Sequence, residues 1–465
     1  MTEPQIGGRI KRLRRQRNIS QADLAGALAI SPSYLNLIEH NRRRITVTLL
    51  LKTATFFGVE AGELAEADGS RLAGDLMEIF GDDLFAESNL TNQDVHDLAA
   101  SNPAVGRAVV RLFDGYRRLQ RSASAASLPP DEQEFHAATD AVSDFLQENA
   151  NHFPALEVEA ERIRADIDRA SDAFEHGLKT YLFNVLGLQW RIAPLPGMLV
   201  WQLDEAGGDF VTAEVLPTET AVFAVSQQLG LLAATKVIDQ LIDSSTLPAD
   251  APVLARNALA SYFAGALVMP YEAFYRACRE TRYDIERVGR RFKASFEQVC
   301  HRMTTLQRPG SSGIPLHLVR ADIAGNISKR FSLSGIHIPR HSGACPRWNV
   351  YSAFLQPDRL NVQLSQMPEG GQYLCIAKSI AKGGYRHNAP RRHLSIGLGC
   401  HVSHAPEIVY SDGIDLANPD LVVPIGVGCR ICPRTDCGQR AHPPTNHRFS
   451  TGGGSRAENF YARIR

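Results

Sequence analysis

The chain lacks any overall charge bias. Fifty Lys and Arg balance fifty Asp and Glu over 465 residues, so no global field draws in nucleic acid, and any basic surface must be local. It also has no apolar run long enough to span a bilayer, which leaves no expected membrane partner. The first residues are too charged, and too poor in apolar side chains, for a secretory signal. Their arginines fit a folded helix better than a transit peptide, and a cytoplasmic location is expected. Cysteine is scarce. Eight in a chain of this length do not make a secreted disulfide framework. Four of them lie beyond residue 395, which points to a metal site. The length predicts two to four domains.

What the chain does have is one dense basic segment, Gln5–Val59. Ile6, Ile10 and Leu13 give a first helix one apolar stripe, and Arg9, Lys11, Arg12, Arg14, Arg15 and Arg17 occupy its other faces. Ser20 is a good N-cap, with Asp23 three residues on in the capping-box position. Leu24, Ala25 and Leu28 form the inner face of a second helix. Ser31-Pro32 opens a third, with a cap and a proline at its first position. Leu35 and Ile38 anchor that helix inward, leaving Ser33, Tyr34 and Asn36 outward to read base edges in the major groove. Gln21 is placed to touch a phosphate and brace the recognition helix. Asn41, Arg42, Arg43 and Arg44 follow, suited to the DNA backbone. The segment resembles the lambda-repressor-like (Cro/XRE) helix-turn-helix family, which implies double-stranded operator DNA as a partner.

Residues 60–150 read as helical and mostly polar, with breaks at Gly81, Asn102-Pro103 and the linker-like SASAASLPPD. An all-helical connector that helps dimerise the heads is expected. A long helix follows from Leu156, with Ile163, Ile167, Phe174, Leu178 and Leu182 at threes and fours. Met198–Leu203 and Phe210–Val215 are expected strands, turned by the glycine-bearing Asp204–Asp209. One helix is expected over Thr218–Ile242 and another over Ala255–Met269.

This helix–hairpin–helix–helix order resembles the ImmA/IrrE metallopeptidase-like family, whose second helix carries His-Glu-x-x-His. Two imidazoles one turn apart hold zinc there, and the glutamate is the general base. Here Gln227, Gln228 and Leu231 stand at those positions, and no third ligand appears over Arg256–Ser261. A peptidase-like scaffold without peptidase chemistry is the expectation, and no enzyme activity. Tyr262 and Tyr271, with Arg276 nearby, have pocket-like chemistry, rings for an adenine and a guanidinium for phosphate, and the alternative is packing tyrosines beside a solvated arginine face. Asp284–Leu306 reads as two helices.

From Ile314 the period becomes strand-like. LHLVRADIAGNISKRFS, GIHIPRH, NVYSAF, RLNVQLSQM, QYLCIAKSI, HLSIGLG and EIVYSDG are expected strands of an antiparallel, PAS- or GAF-like sheet. Cys429, Cys432 and Cys437, with Cys400 upstream as fourth ligand or Cys345 in its place, can wrap either structural Zn²⁺ or an iron–sulfur cluster. Spacing does not choose between them. The runs AGNISKRFS, ACPRWNVYSAF, GLGC and IGVGCRICPRTDCGQRAHPP closely resemble the short-chain fatty acyl-CoA transcriptional regulators, over nearly the whole chain. The resemblance implies control of propionate and methylcitrate metabolism, a short acyl-CoA ligand (propionyl-CoA first) for which Tyr262, Tyr271 and Arg276 are the candidate contacts, and a 4Fe–4S cluster on Cys400, Cys429, Cys432 and Cys437.

The expected fold class is multidomain α+β. It comprises a helix-turn-helix head (1–65), a helical connector (66–150), a degenerate ImmA/IrrE-like domain (151–312), a β-rich sensor domain with the cysteines (313–449) and a flexible tail (450–465). The expected function is a homodimeric, acyl-CoA-responsive transcription regulator. The alternative is an iron–sulfur redox sensor without physiological acyl-CoA input.

Overall fold

The structure is a computed structural model. It describes Ile10, Arg14 and residues 19–443, apart from residues 40–42, 44, 58–67, 86–87, 89, 125–129, 198, 205–206, 249, 341–343, 384–386, 388–389, 431 and 435. The expected tail lies outside the described residues.

In the head, α1 (Gln21–Ala27), α2 (Pro32–Glu39) and α3 (Val47–Phe57) close over Ile10, Leu24, Leu28, Leu35, Ile38, Leu49 and Phe57. The Ser20 hydroxyl accepts the Asp23 N–H at 3.1 Å, so the cap starts α1 where its sequence position predicts. The connector is built from α4 (Asp68–Phe80), α5 (Asn92–Ser101) and α6 (Pro103–Ser124) around Leu72, Leu76, Val95 and Ala99. Its helices end at the expected breaks, Gly81 and Asn102.

The next helix, α7 (Pro130–Glu148), departs from the expected connector. Its Val142 and Phe145 are buried in the large core of the middle region. The helix expected from Leu156 is two, α8 (Pro154–Ala170) and α9 (Phe174–Leu186). Ser171 is extended (φ −167°, ψ 146°), and this break lets Ile163 and Ile167 share a core with Leu178 and Leu182. A three-stranded sheet follows, β1 (Gln189–Ala193), β2 (Trp201–Asp204) and β3 (Asp209–Ala213), in the order β1-β3-β2. The hairpin is the expected one. Strand β1, parallel to β3, was not expected. The helix expected over Thr218–Ile242 is likewise two, α10 (Thr218–Ala233) and α11 (Thr235–Asp243), bent by 72° at Ala234. Then come α12 (Pro252–Val268), α13 (Tyr271–Glu280), α14 (Ile285–Phe292) and α15 (Phe296–Met303). Among the described residues, no single helix is long and apolar enough to cross a membrane.

The C-terminal sheet has six strands: β4 (Leu316–Asp322), β5 (Ile327–Ser332), β6 (Asn361–Gln366), β7 (Gln372–Gly383), β8 (Arg391–His401) and β9 (Val422–Pro424). Their order is β5-β4-β8-β7-β6-β9, antiparallel except for β6 with β9. One face, with Leu316, Leu318, Ile376, Ile396 and Leu398, merges into the core of the middle helices. The opposite face, with Val319, Ala321, Cys375 and Ala377, is covered by Ile336, Ile338, Trp348 and Val350. The C-terminal region thus has a core of its own on one face of the sheet and shares the middle region's core on the other.

Three expected strands are absent. GIHIPRH has no regular element, NVYSAF forms helix α16 (Asn349–Ser352) and a 3₁₀ turn, and EIVYSDG is largely 3₁₀. Asn349 explains the second case. Its amide donates to the carbonyls of Asn361 and Cys375, at 3.0 and 2.9 Å, so this segment plugs the sheet face instead of joining its edge.

Candidate functional site

The recognition helix α2 presents Ser31, Ser33 and Asn36 to solvent, with Tyr34 half-buried. Ser31 acts as a cap, its hydroxyl accepting the Tyr34 N–H at 3.1 Å. Gln21 donates to Glu39 at 2.9 Å, and its carbonyl accepts from Asn36 at 3.4 Å. Gln21 thus braces the helix, as its sequence position suggests. Arg43 stacks 5.0 Å from the Tyr34 ring centre. Asn41, Arg42 and Arg44 lie outside the described residues. Arg14 is not on a solvent face as expected. It makes a two-point contact with Glu39, at 2.6 and 3.0 Å, and Glu39 is 2 % exposed. A glutamate next to Ile38 on the inward side of α2 was the available signal for this hub.

Of the expected acyl-CoA contacts, the structure brings together Tyr262 and Tyr271 but not Arg276, which is exposed on α13. The guanidinium between the two rings belongs to Arg302, 6.0 and 5.6 Å from their centres. Arg302 and Glu157 form a buried two-point ion pair at 2.6 and 2.9 Å. Tyr262 donates to Glu157 at 2.6 Å and accepts the Phe153 N–H at 3.2 Å. Burial opposes ionisation of Glu157, but the Arg302 charge and these hydrogen bonds hold its carboxyl below the usual range. Burial, then Glu157, pushes the Tyr262 hydroxyl well up. Arg308 lies 4.1 Å over the Tyr271 ring and reaches Glu161 at the surface. The cluster is closed, with Tyr271 fully buried and Tyr262 8 % exposed. Sequence reading missed Glu157, Arg302 and Arg308 because no local motif marks residues that meet across about 145 positions.

On α10, Gln227, Gln228 and Leu231 are half-buried. Arg256, in the stretch where a third ligand would fall, pairs with Asp239. The glycine of the motif persists for packing. A Cβ at Gly230 would lie 2.7 Å from the Phe263 ring, so α10 meets α12 only through glycine.

The cysteines separate. Cys400 lies in β8, paired with Leu316 and Leu374 and fully buried in the large core. Cys345 instead joins Cys429, Cys432 and Cys437 around one small cavity. Chain alternation explains this, since Cys400 shares the Leu398 face and the cavity lies beyond the other. Gly426 lets the loop close, because a Cβ there would sit 3.0 Å from Cys432 Sγ. Arg440, 3 % exposed, donates to the carbonyls of Cys429, Cys432 and Arg434 and shapes the loop from within. The Ala441 N–H points at Cys429 Sγ, 3.4 Å away. Burial, then the neighbouring Cys429 and Cys432, pushes the Cys345 thiol up. Among the described residues, no three His, Cys, Asp or Glu side chains converge closely enough to form a metal-holding group.

Three family models match in sequence along the chain. Helix-turn-helix covers residues 10–64, the IrrE N-terminal-like domain 210–304, and the C-terminal region of the short-chain fatty acyl coenzyme A regulators 305–461. The HTH-type transcriptional regulator PrpR of Mycobacterium tuberculosis is 36 % identical over 449 residues, 94 % of this chain and 91 % of that protein. RamB of the same organism is 36 % identical over 457 residues, 95 % of each. A propionyl-CoA carboxylase regulator of Cereibacter sphaeroides is 36 % identical over 447 residues, again 95 % of each. A solved Mycobacterium tuberculosis transcriptional regulator superposes with a TM-score of 0.67 at 37 % identity, over 70 % of this chain and 99 % of that one. The chain therefore belongs to the helix-turn-helix transcriptional regulators of the short-chain fatty acyl coenzyme A regulator family.

Proposed function

We propose that this protein is a homodimeric, sequence-specific transcription regulator whose hold on its operator responds to a short-chain acyl-CoA, with propionyl-CoA the first candidate. One observation carries the reading: a helix-turn-helix head and the C-terminal region of the acyl-CoA regulators occur in one chain. The name of the Cereibacter relative favours propionyl-CoA. The aromatic and cationic cluster of Tyr262, Tyr271, Arg302 and Arg308 supports placing the ligand-responsive element in the middle region. Packing closes off the rings of Tyr262 and Tyr271, so an adenine reaches them only when the cluster opens, whereas the Arg308 guanidinium at the rim is open to phosphate. Gln227, Gln228 and Leu231 supply neither zinc ligand nor general base, so the peptidase-like scaffold serves as a sensor and not as an enzyme.

By ligand type, Cys345, Cys429, Cys432 and Cys437 suit a 4Fe–4S cluster or structural Zn²⁺, and their side chains would have to draw closer than they stand here to hold either. The glycine cradle at Gly426 and the Arg440 clamp on the loop carbonyls support that assignment. Bound there, the group would supply a pin across the loop, redox-sensitive if it is iron. Arg440 orients the backbone, and Ala441 offers an N–H to the thiolate of Cys429. The second reading, in which thiol-bound iron is the sole input, is the less supported, since the matching C-terminal family is that of acyl coenzyme A regulators.

Calorimetric titration of the full chain, purified without oxygen, with propionyl-CoA, acetyl-CoA and free CoA tests the first reading. Binding that prefers propionyl-CoA, together with a shift in affinity for selected DNA fragments, is expected. If no thioester binds while iron loading changes DNA affinity, the second reading replaces it.

A further inference from the structure

The connector meets the sensor region at a charged joint centred on Arg340. Arg340 leaves the segment that covers the C-terminal sheet and enters a cleft of carboxylates. Its guanidinium makes a two-point contact with Asp144 of α7, at 2.8 and 2.8 Å, and approaches Asp75 of α4 at 3.3 Å. Asp114 of α6 adds to the field that holds its charge. Its backbone N–H donates to Glu78 of α4 at 2.7 Å. Three residues earlier, His337 lies against α4 beside Glu78. A Cβ at Gly74 would run into its ring, so the contact exists only because that position is glycine. The side chains of Arg340, Asp75, Glu78 and His337 are each 12 % exposed or less.

Four carboxylates thus gather on one arginine and one histidine. Arg340 is a cation on which carboxylates of α4 and α7 converge, Asp75 from one and Asp144 from the other. The latch also stands where both candidate inputs arrive. Cys345 of the thiol cavity follows Arg340 by five residues in the chain. Helix α7, which carries Asp144, ends at Glu148, and a short turn leads from it to His152 and Phe153. Phe153 supplies the N–H that Tyr262 accepts, and His152 packs edge-on to Tyr271. On the other side, α4 begins the connector that follows the head.

We infer that the Arg340 latch is the joint through which the sensor region sets the connector, docked in one state and released in the other. This rests on the sensor reading above and goes beyond it by naming the element that transmits. The contacts that hold the connector itself are few, Asp75 at 3.3 Å and Glu78 on the Arg340 N–H at 2.7 Å with His337 beside it, so α4 can leave while Arg340 keeps its two-point pair with Asp144.

Hydrogen exchange of α4 in the full-length protein tests the inference. The states compared are the free protein, the protein with saturating propionyl-CoA, and Cys429→Ser. In the wild type, either propionyl-CoA or Cys429→Ser should change α4 exchange by about fivefold or more, the lower range of allosteric coupling. Gly74→Ala, which wedges His337 off α4 far from both inputs, should abolish that response. It should shift propionyl-CoA affinity by no more than that same coupling factor and leave metal content unchanged, and Arg340→Lys should give an intermediate response. The inference is overturned if α4 responds equally in Gly74→Ala, or if neither propionyl-CoA nor Cys429→Ser alters α4 in the wild type. Calorimetry and metal content of the same wild-type samples report on the ligand and thiol readings separately.

Discussion

At the scale of single residues, Asn36 and Arg43 should separate by function. Asn36 is exposed on α2 and steadied by Gln21, so Asn36→Ala should relax sequence preference. Arg43 stacks on Tyr34 from the loop, so Arg43→Ala should weaken binding to every sequence and lower the salt slope by about one. Binding isotherms on selected and scrambled DNA at several salt concentrations check both. Equal losses on both DNAs for Asn36→Ala would remove its base-reading role.

Buried histidines set a pH dependence. Burial pushes His317, 4 % exposed, down to about 3, and the partial burial of His301 lowers it to about 4, against about 6.5 in an unfolded chain. The unfolded chain therefore takes up protons that the fold refuses. Stability is full above pH 6.5 or so and falls as pH drops from there towards 4 and 3. His317 alone contributes a slope of about 1.4 kcal/mol per pH unit. Glu157 acts in the same direction at lower pH, since its carboxyl is held below the ordinary 4.5. Urea midpoints between pH 7 and 4.5 should fall, and His317→Asn should flatten the curve. A flat wild-type curve would contradict the burial argument. None of these three groups was legible as special in the sequence. A histidine's burial depends on what the sheet packs against, and Glu157 meets Arg302 only after the middle region closes.

At the scale of elements, periodicity located the helices but not their breaks. Apolar residues at threes and fours run through Ser171 and through Ala234 alike, because both helices of each pair face one core. Only packing shows that the axis turns. Gly230 illustrates the same limit, as it is the point where α10 meets α12. Gly230→Ala should overpack that contact and cost about 1–3 kcal/mol, read as a shifted denaturation midpoint with no change in DNA affinity of the folded protein. An unchanged midpoint would show that Phe263 can move aside. Strand reading succeeded where alternation was long, in β4, β7 and β8. It failed for NVYSAF, whose Asn349 amide serves two strand carbonyls.

At the scale of the whole molecule, the operator reading needs two heads, since half-sites spaced about one DNA turn, roughly 34–36 Å, require a dimer. Sedimentation of the full chain should give twice 51.1 kDa, and a monomer at micromolar concentration would remove that requirement. The continuous core of α7 through β8 predicts that the middle and C-terminal regions unfold together. A domain cut at residue 312 would expose the apolar face of the sheet.

The local chemistry of this protein was written in the chain. Caps, turn residues, apolar spacing and the missing His-Glu-x-x-His are properties of residues a few positions apart, where backbone geometry alone decides what faces what. Tertiary structure decided which cysteine joins Cys429, Cys432 and Cys437, which arginine stands between Tyr262 and Tyr271, and where the connector ends. Each of those pairings spans scores of residues. It forms only because a shared core and a buried charge make one long-range arrangement lower in free energy than the others.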